Sequence, residues 1–198
     1  TMGGGGPRKI LLAFAGALVL LSSCSSDDGG GDATSSTAEP TSPAAPAGPQ
    51  PAEIEATVEV GSDPIGIAAG DGSLWVVNAE TDAARGSLSR IDPTNGDVLA
   101  TVRVGAIPLE VAVGEGGVWV SNAEDDSVSR IDPSTDEVVT DIDVCAAPEG
   151  LAVADGSVWV VWEVDAVVAG IDRRTNEMVT EIDVGPPPDA PVSIAARR

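Results

Sequence analysis

A unit of about forty residues occurs three times in this chain of 198 residues, and it limits the possible folds more than any other feature. A tryptophan and a proline recur in register, at intervals of 44 and then 40 residues. They are Trp75, Trp119 and Trp159, and Pro64, Pro108, Pro148 and, 40 residues further on, Pro188. A period near forty indicates an array in which one supersecondary unit is stacked repeatedly.

Each unit contains four short segments typical of β-strands, separated by turn residues. In the second unit these segments are LEVAV (109–113), VWVS (118–121), SVSRID (127–132) and EVVTDIDV (137–144). The tryptophan segment is apolar without alternation, which suits a strand that is covered on both faces, whereas the last segment alternates and turns one side to water. The pattern predicts an all-β fold in which each unit is a four-stranded antiparallel propeller blade.

The unit P…VAV…G.VWVSN….SVSRIDP.T.EVVT.I.VG resembles the YVTN-type bacterial β-propeller repeats, including those of the streptogramin-lyase-like (Vgb-like) propellers. The resemblance covers about Glu53 to Ala196 and assigns residues 53–198 to a partial β-propeller. We expect three full blades, at about 64–104, 108–144 and 148–184, with Trp75, Trp119 and Trp159 filling the gaps between blades.

One lone strand is expected at each end of the array, at Ala56–Val60 and within APVSIAARR (190–198). Closed propellers generally contain at least four blades. We therefore expect either a truncated copy of a longer propeller, which we favour, or half of an assembly that another chain completes. Unpaired sheet edges predict self-association.

The N-terminus has the order of features of a bacterial lipoprotein leader. Arg8 and Lys9 precede the uncharged run Ile10–Leu21, which is too short to span a membrane, and LSSC (21–24) resembles a lipobox. We interpret residues 1–23 as a signal peptide and Cys24 as the lipidated residue, with an ordinary secretory signal as the alternative. Residues 24–52 then form a disordered tether rich in Ser, Pro, Ala and Gly, which places the domain on the extracytoplasmic face of a bacterial cell membrane.

Charge excludes one class of partner. Without residues 1–23 the chain keeps 8 Arg against 32 Asp and Glu, a net charge of −24, which repels nucleic acid. Cys145 is the only other cysteine, so a lipidated Cys24 leaves no internal disulfide, and we expect Cys145 to be a small buried apolar residue.

Aspartates recur at Asp92, Asp132 and Asp172, each directly after an isoleucine. We expect them to bond turn amides rather than to be catalytic or to bind metal. Arg90 and Arg130, two positions earlier on the same strand face, predict solvated pairs with the first two aspartates.

The loops after the tryptophan strands, together with the proline connections, form the end of the blades that carries the ligand in related propellers. The candidate ligand-face residues are Asn78, Glu80, Asp82 and Arg85, then Asn122, Glu124, Asp125 and Asp126, and then Trp162, Glu163 and Asp165. Calcium is a minor possibility, because it needs about six to eight converging oxygens and no dedicated loop is present. Trp162 replaces the repeated asparagine and is either a stacking platform at the rim or a core residue.

Two classes of function remain open. The first is a binding or interaction module for a protein, a cell-envelope component or a small molecule. The second, implied by the resemblance to streptogramin lyases, is an enzyme with a histidine base and metal assistance, but the sequence contains no His, no Tyr and no Lys after the leader. IDPTNGDVLATV is similar to quinoprotein repeats, yet the blades lack their second tryptophan. We therefore expect no catalytic residue, metal or cofactor in this chain, unless missing blades supply them.

Overall fold

The computed structural model describes residues 9–12, 56–80, 84–114, 116–145, 147–162, 166–185 and 193–195. These residues form β-strands joined by turns and loops, without a helix, which confirms the predicted all-β class. The strands are β1 (Lys9–Leu12), β2 (Ala56–Glu59), β3 (Pro64–Gly70), β4 (Ser73–Asn78), β5 (Ser87–Ile91), β6 (Val98–Arg103), β7 (Pro108–Gly114), β8 (Gly117–Asn122), β9 (Ser127–Asp132), β10 (Glu137–Asp143), β11 (Pro148–Ala154), β12 (Ser157–Trp162), β13 (Val167–Asp172) and β14 (Glu177–Asp183).

The three repeats fold as three four-stranded antiparallel sheets, in the orders β3-β4-β5-β6, β7-β8-β9-β10 and β11-β12-β13-β14. Each proline that marks a repeat begins the first strand of its sheet, where a missing N–H is tolerated. The tight turn between β3 and β4 needs positive φ at both Asp71 (48°) and Gly72 (71°), a conformation that the Asp-Gly pair favours. The architecture is the predicted incomplete β-propeller.

The segment 56–60 is not a lone strand, which corrects the sequence interpretation. β2 pairs with β1, and Ile10 lies opposite Val58. In the first full sheet, Leu88 on the third strand lies opposite Val102 on the outer, fourth strand in the same way. Residues 9–12 therefore occupy the position of a third strand, next to β2 in the position of an outer strand.

Most of the predicted leader, Cys24 and the tether lie outside the described residues. In the segment 190–198 only 193–195 are described, and they are not in a strand. No helix within the described ranges has the length and apolar character needed to cross a bilayer.

The core lies in the gaps between successive sheets. Trp75 packs in one cluster with Val111, Val120 and Ile131 of the second sheet, and its side chain is completely buried. Trp119 is equally buried, in a cluster formed largely by the third sheet. Trp159, in contrast, is only half-buried, because no described sheet follows the third one. The expectation that all three tryptophans fill gaps between blades was therefore wrong for Trp159.

Candidate functional site

The predicted ligand face lies at one end of the sheets, which we call the loop end. It contains the loops between second and third strands and the connections from one sheet to the next. Of the candidate residues, Asp82, Glu163 and Asp165 lie outside the described part of the chain. The described candidates at this end are Asn78, Glu80, Arg85, Asn122, Glu124, Asp125, Asp126 and Trp162.

Asn122 is a structural residue that joins three parts of the loop end. Its Oδ1 accepts a hydrogen bond from the backbone N–H of Gly105 (3.0 Å), and its Nδ2 donates to Ser127 Oγ (3.1 Å) and Ser129 Oγ (2.9 Å). A Cβ atom at Gly105 would lie 2.5 Å from the Asn122 Cγ, so the connection requires glycine there. The Asn122 side chain is fully buried and unavailable to a ligand.

Asn78 occupies the same position in the first sheet. Its Nδ2 donates to Ser87 Oγ (3.2 Å) and Ser89 Oγ (3.0 Å), and Gly61 packs against it as Gly105 packs against Asn122. Its Oδ1 is buried without a hydrogen-bond partner in the part of the chain that the structure describes. Both asparagines therefore bond the third strand of their sheet, and the connection that enters the sheet is hydrogen-bonded to Asn122 but only packed against Asn78.

The described charged candidates of the first loop, Glu80 and Arg85, bind side chains and backbone of the neighbouring strands and connection. Glu80 accepts from Ser87 Oγ (2.5 Å) and forms an ion pair with Arg103 Nη1 (2.5 Å). Arg85 donates through Nε to the carbonyl oxygen of Val104 (2.9 Å). These groups fasten the loop to the outer strand of the same sheet and to the connection that follows it.

Two acidic residues of the second loop bind the two connections that flank the second sheet, Asp125 the one before it and Asp126 the one after it. Asp125 accepts the N–H of Ala106 (2.9 Å) and Asp126 accepts the N–H of Ala147 (2.7 Å), while Glu124 is exposed. The described residues contain no group of three or more His, Cys, Asp or Glu side chains arranged to hold a metal ion. The geometry of this part of the loop end thus offers no support for a calcium site.

Trp162 is a core residue, and the stacking-platform interpretation was wrong. Its side chain is 1% exposed and belongs to the apolar cluster between the second and third sheets. Cys145, which was expected to be buried, is exposed. Cys145 stands where the first two units have Gly61 and Gly105, and Trp162 stands where they have Asn78 and Asn122, so the third unit has replaced both members of that packed pair.

The three aligned aspartates are turn residues, as expected. The Thr94 hydroxyl (2.6 Å) and then its N–H (2.8 Å) donate to Asp92 Oδ1 and hold the pKa of this carboxyl below its ordinary 3.8. The pKa values of the other two are lowered in the same direction, by the Ser134 hydroxyl and N–H at Asp132, and by the N–H groups of Thr175 and Arg174 at Asp172. These carboxylates stabilise turns and are not poised as proton acceptors near neutral pH.

Arg90 and Arg130 do not form their principal contacts with Asp92 and Asp132, which corrects the predicted pairing. Arg90 Nη1 reaches the next sheet, where it donates to the carbonyl oxygen of Pro133 (2.8 Å) and to Asp136 Oδ1 (3.1 Å). Arg130 Nη1 makes the equivalent bonds to the carbonyl oxygen of Arg173 (2.8 Å) and to Asn176 Oδ1 (2.9 Å). We call these two contacts the interblade arginine bridges.

The outer part of the third sheet presents an apolar surface that the equivalent residues of the other sheets bury. Ile182 is 45% exposed and Val184 48%, whereas the equivalent Ile142 and Val144 are 7% and 9% exposed. Trp159 and Val168, on the same side, are half-buried. We call Trp159, Val168, Ile182 and Val184 the open face. The sequence did not single out this face, although the repeat pattern contains only three full units.

Comparisons with known proteins agree on the architecture. No protein-family model and no curated protein sequence matches the chain. Solved structures similar to it include hydrazine synthase from Kuenenia stuttgartiensis (TM-score 0.56, 24% identity, 62% of this chain and 36% of that one) and the RRP9 WD40 repeats (0.58, 12%, 68% and 42%). AztD from Citrobacter koseri is also similar (0.50, 15%, 69% and 50%).

These likenesses support the β-propeller fold. The chain corresponds to half or less of the length of each of these three structures. At such identities the comparison concerns the fold alone.

Proposed function

We propose that this chain is a binding module, an extracytoplasmic β-propeller tethered to a membrane, whose open face contacts a protein partner. The observation that carries the proposal is the exposure of Ile182 and Val184, two positions that are buried against the next blade in both other sheets. The open face consists of apolar side chains whose equivalents in the other two sheets are buried in the core. Such a face favours association with another protein, because burying it removes apolar area from water.

The loop end supports binding at the open face rather than chemistry between the blades. The side chains of Asn122, Asp125 and Asp126 form hydrogen bonds with backbone and serine groups of the same chain. The whole sequence contains no histidine, and the lowered pKa values of Asp92, Asp132 and Asp172 do not suit a general base near neutral pH.

A second copy of this chain is the partner that we propose for the open face. The first sheet presents its own exposed apolar residues, with Ile67 47% exposed where the equivalent Val111 and Leu151 are 3% and 5% exposed. Val58 and Val60 cover part of this side of the first sheet, and Ile67 marks the part that stays open to a second copy.

We expect the chain to self-associate at tens of micromolar and Ile182→Asp to weaken this association at least tenfold, because the new carboxylate would be buried without a partner. Raising sodium chloride from about 0.05 to about 0.5 M should strengthen association by screening the repulsion between two acidic chains. Sedimentation velocity of the wild type and the variant measures both effects.

Val179→Asp is the matched control. Val179 lies on the same strand and is 57% exposed, but the equivalent Leu99 and Val139 are also exposed (53% and 55%), so this position faces outward in every blade. It should associate like the wild type. A stable monomer of the wild type under all these conditions would overturn the proposed self-association.

The membrane tether is a separate proposal and rests on the leader pattern that ends in Cys24. Cleavage before Cys24 would remove β1 and leave β2 without its paired strand. In a bacterial host that processes lipoproteins, Cys24→Ser should move the protein from the membrane fraction to the soluble extracytoplasmic fraction, because the acyl anchor is lost. Cys145→Ser, at the exposed second cysteine, should remain with the membrane. Fractionation followed by immunoblotting distinguishes these outcomes, and a Cys24→Ser protein that stays bound would exclude lipidation as the anchor.

A further inference from the structure

An arginine lies over the repeated tryptophan in two of the three blades. The guanidinium carbon of Arg90 is 5.3 Å from the ring centre of Trp75, and that of Arg130 is 5.1 Å from the ring centre of Trp119. In both sheets the arginine is the direct cross-strand neighbour of the tryptophan. A guanidinium over an indole face is attracted by the electron-rich ring.

In the first sheet the same arginine has a second fixed contact, since Arg90 Nε donates to Ser73 Oγ (2.9 Å). The first blade thus defines a small site for a guanidinium group, with an indole below it and a serine hydroxyl at its edge.

The third blade keeps the tryptophan and the serine of this site, but it lacks the arginine, and no described sheet follows it to supply the acceptors that Pro133 and Asp136 offer to Arg90. Trp159 has Gly170 as its cross-strand neighbour, and Ser157 stands at the position of Ser73. A Cβ atom at Gly170 would lie 3.4 Å from Trp159 Cζ3, so the glycine backbone lies beside the ring, and the Trp159 side chain is half-buried. Within the described residues, Arg90 and Arg130 are the arginines found over tryptophan rings.

A cleft of about 280 Å³ adjoins Ser157 at the same end of the sheet. Two carboxylates line it, Asp155 and Asp172, together with Arg173 and Arg174. The local charges balance, so recognition of a cation here depends on the indole face and the hydroxyl rather than on an excess of carboxylates.

We propose that Trp159 and Ser157 bind a guanidinium group supplied from outside this chain, at the place that Arg90 occupies in the first blade. The inference rests on the proposed binding role of the open face, to which Trp159 belongs, and it names the chemistry of the contacting group. The source is either an arginine side chain of a second copy or a free guanidinium compound. One cation–indole contact with a single hydrogen bond corresponds to a dissociation constant in the millimolar range.

The test is a titration of the full chain with argininamide, followed by tryptophan fluorescence. Trp75, Trp119 and Trp162 are buried, so the half-buried Trp159 is the ring that a solute can reach. We expect a saturable change with argininamide and none with citrullinamide, which has the same α-amine and a similar shape but a neutral ureido group in place of the guanidinium. Equal responses to the two compounds would overturn the proposal.

Variants assign the response to this site. Trp159→Leu should abolish it, and Gly170→Arg should weaken it at least tenfold by placing an internal guanidinium over the ring. Gly170→Ala leaves that position open and should respond like the wild type. Circular dichroism verifies that each variant is folded, and a wild-type response in folded Gly170→Arg or Trp159→Leu would contradict the assignment.

Sedimentation separates the two sources and the two proposals. If a second copy supplies the arginine, Gly170→Arg weakens self-association as well as argininamide binding; if the guanidinium is a free compound, only argininamide binding is weakened. Argininamide binding by a strictly monomeric chain would overturn the proposed self-association alone. Self-association without an argininamide response would overturn the guanidinium site alone.

Discussion

Replacing Trp119 with alanine should lower the free energy of unfolding by about 3–5 kcal/mol, which is the range for a large buried aromatic side chain. The indole is completely buried between the second and third sheets, in one cluster with Leu151, Val158 and Ile171. Its removal leaves a cavity at a junction between blades, and it also removes the ring under Arg130. Urea denaturation, followed by the far-ultraviolet circular dichroism of the β-sheets, measures the change in the free energy of unfolding.

Trp159→Ala is the natural comparison, because Trp159 has the same place in its sheet but is half-buried. We expect Trp159→Ala to lower the free energy of unfolding by less than half as much as Trp119→Ala. The contribution of a buried side chain scales with the apolar area that folding removes from water, and this area is smaller for Trp159. Equal losses for the two variants would show that Trp159 is covered, and would count against the open face.

Replacing Asn122 with alanine should cost about 3 kcal/mol, through the buried groups that it leaves unpaired. The backbone N–H of Gly105 loses its acceptor, and Ser127 Oγ and Ser129 Oγ lose a donor. Because the Gly105 amide loses its buried acceptor, we also expect faster amide hydrogen exchange at Gly105. Urea denaturation and hydrogen exchange measured by NMR test the two effects.

Asn95→Ala serves as the control for this substitution. Asn95 is an exposed turn residue whose Oδ1 accepts the N–H of Asp97 (3.0 Å), and its loss should cost below about 1 kcal/mol. A loss at Asn122 no larger than the loss at Asn95 would mean that water replaces the buried bonds, and would refute the structural role of the repeated asparagine.

The blades themselves were predictable because their signals are local. Strand period, Asp-Gly turns and the recurring proline depend on neighbours within a few residues, and the predicted blades begin at the prolines that begin β3, β7 and β11. The aspartates at the turns follow the same logic, since Asp92 bonds to Thr94 only two residues away.

The predictions that were wrong concern residues whose neighbours are distant in sequence. Cys145 is exposed, contrary to the burial expected for its residue type. For Trp162 the sequence left two alternatives open, and packing in the cluster between the second and third sheets decided for the core. Comparison of the units position by position does contain a usable signal: Gly105 and Asn122 change together to Cys145 and Trp162.

The interblade arginine bridges illustrate the same limit. Arg90 and Asp136 are 46 residues apart, and the sequence placed Arg90 nearer to Asp92 on its own strand. Which carboxylate an arginine reaches depends on the angle between two sheets, and no local pattern encodes that angle.

Local periodicity and turn chemistry were therefore sufficient to establish an all-β array of three four-stranded units, because each unit's hydrogen bonds join strands that are close along the chain. Packing between units decided the features on which the proposed binding function rests. These are which tryptophan is covered, which arginine bridges to the next sheet, and which apolar side chains face water. These properties depend on the presence of a neighbouring sheet at a given angle and distance, and Ile142 and Ile182, the same residue in the same place in the repeat, differ in exposure for that reason alone.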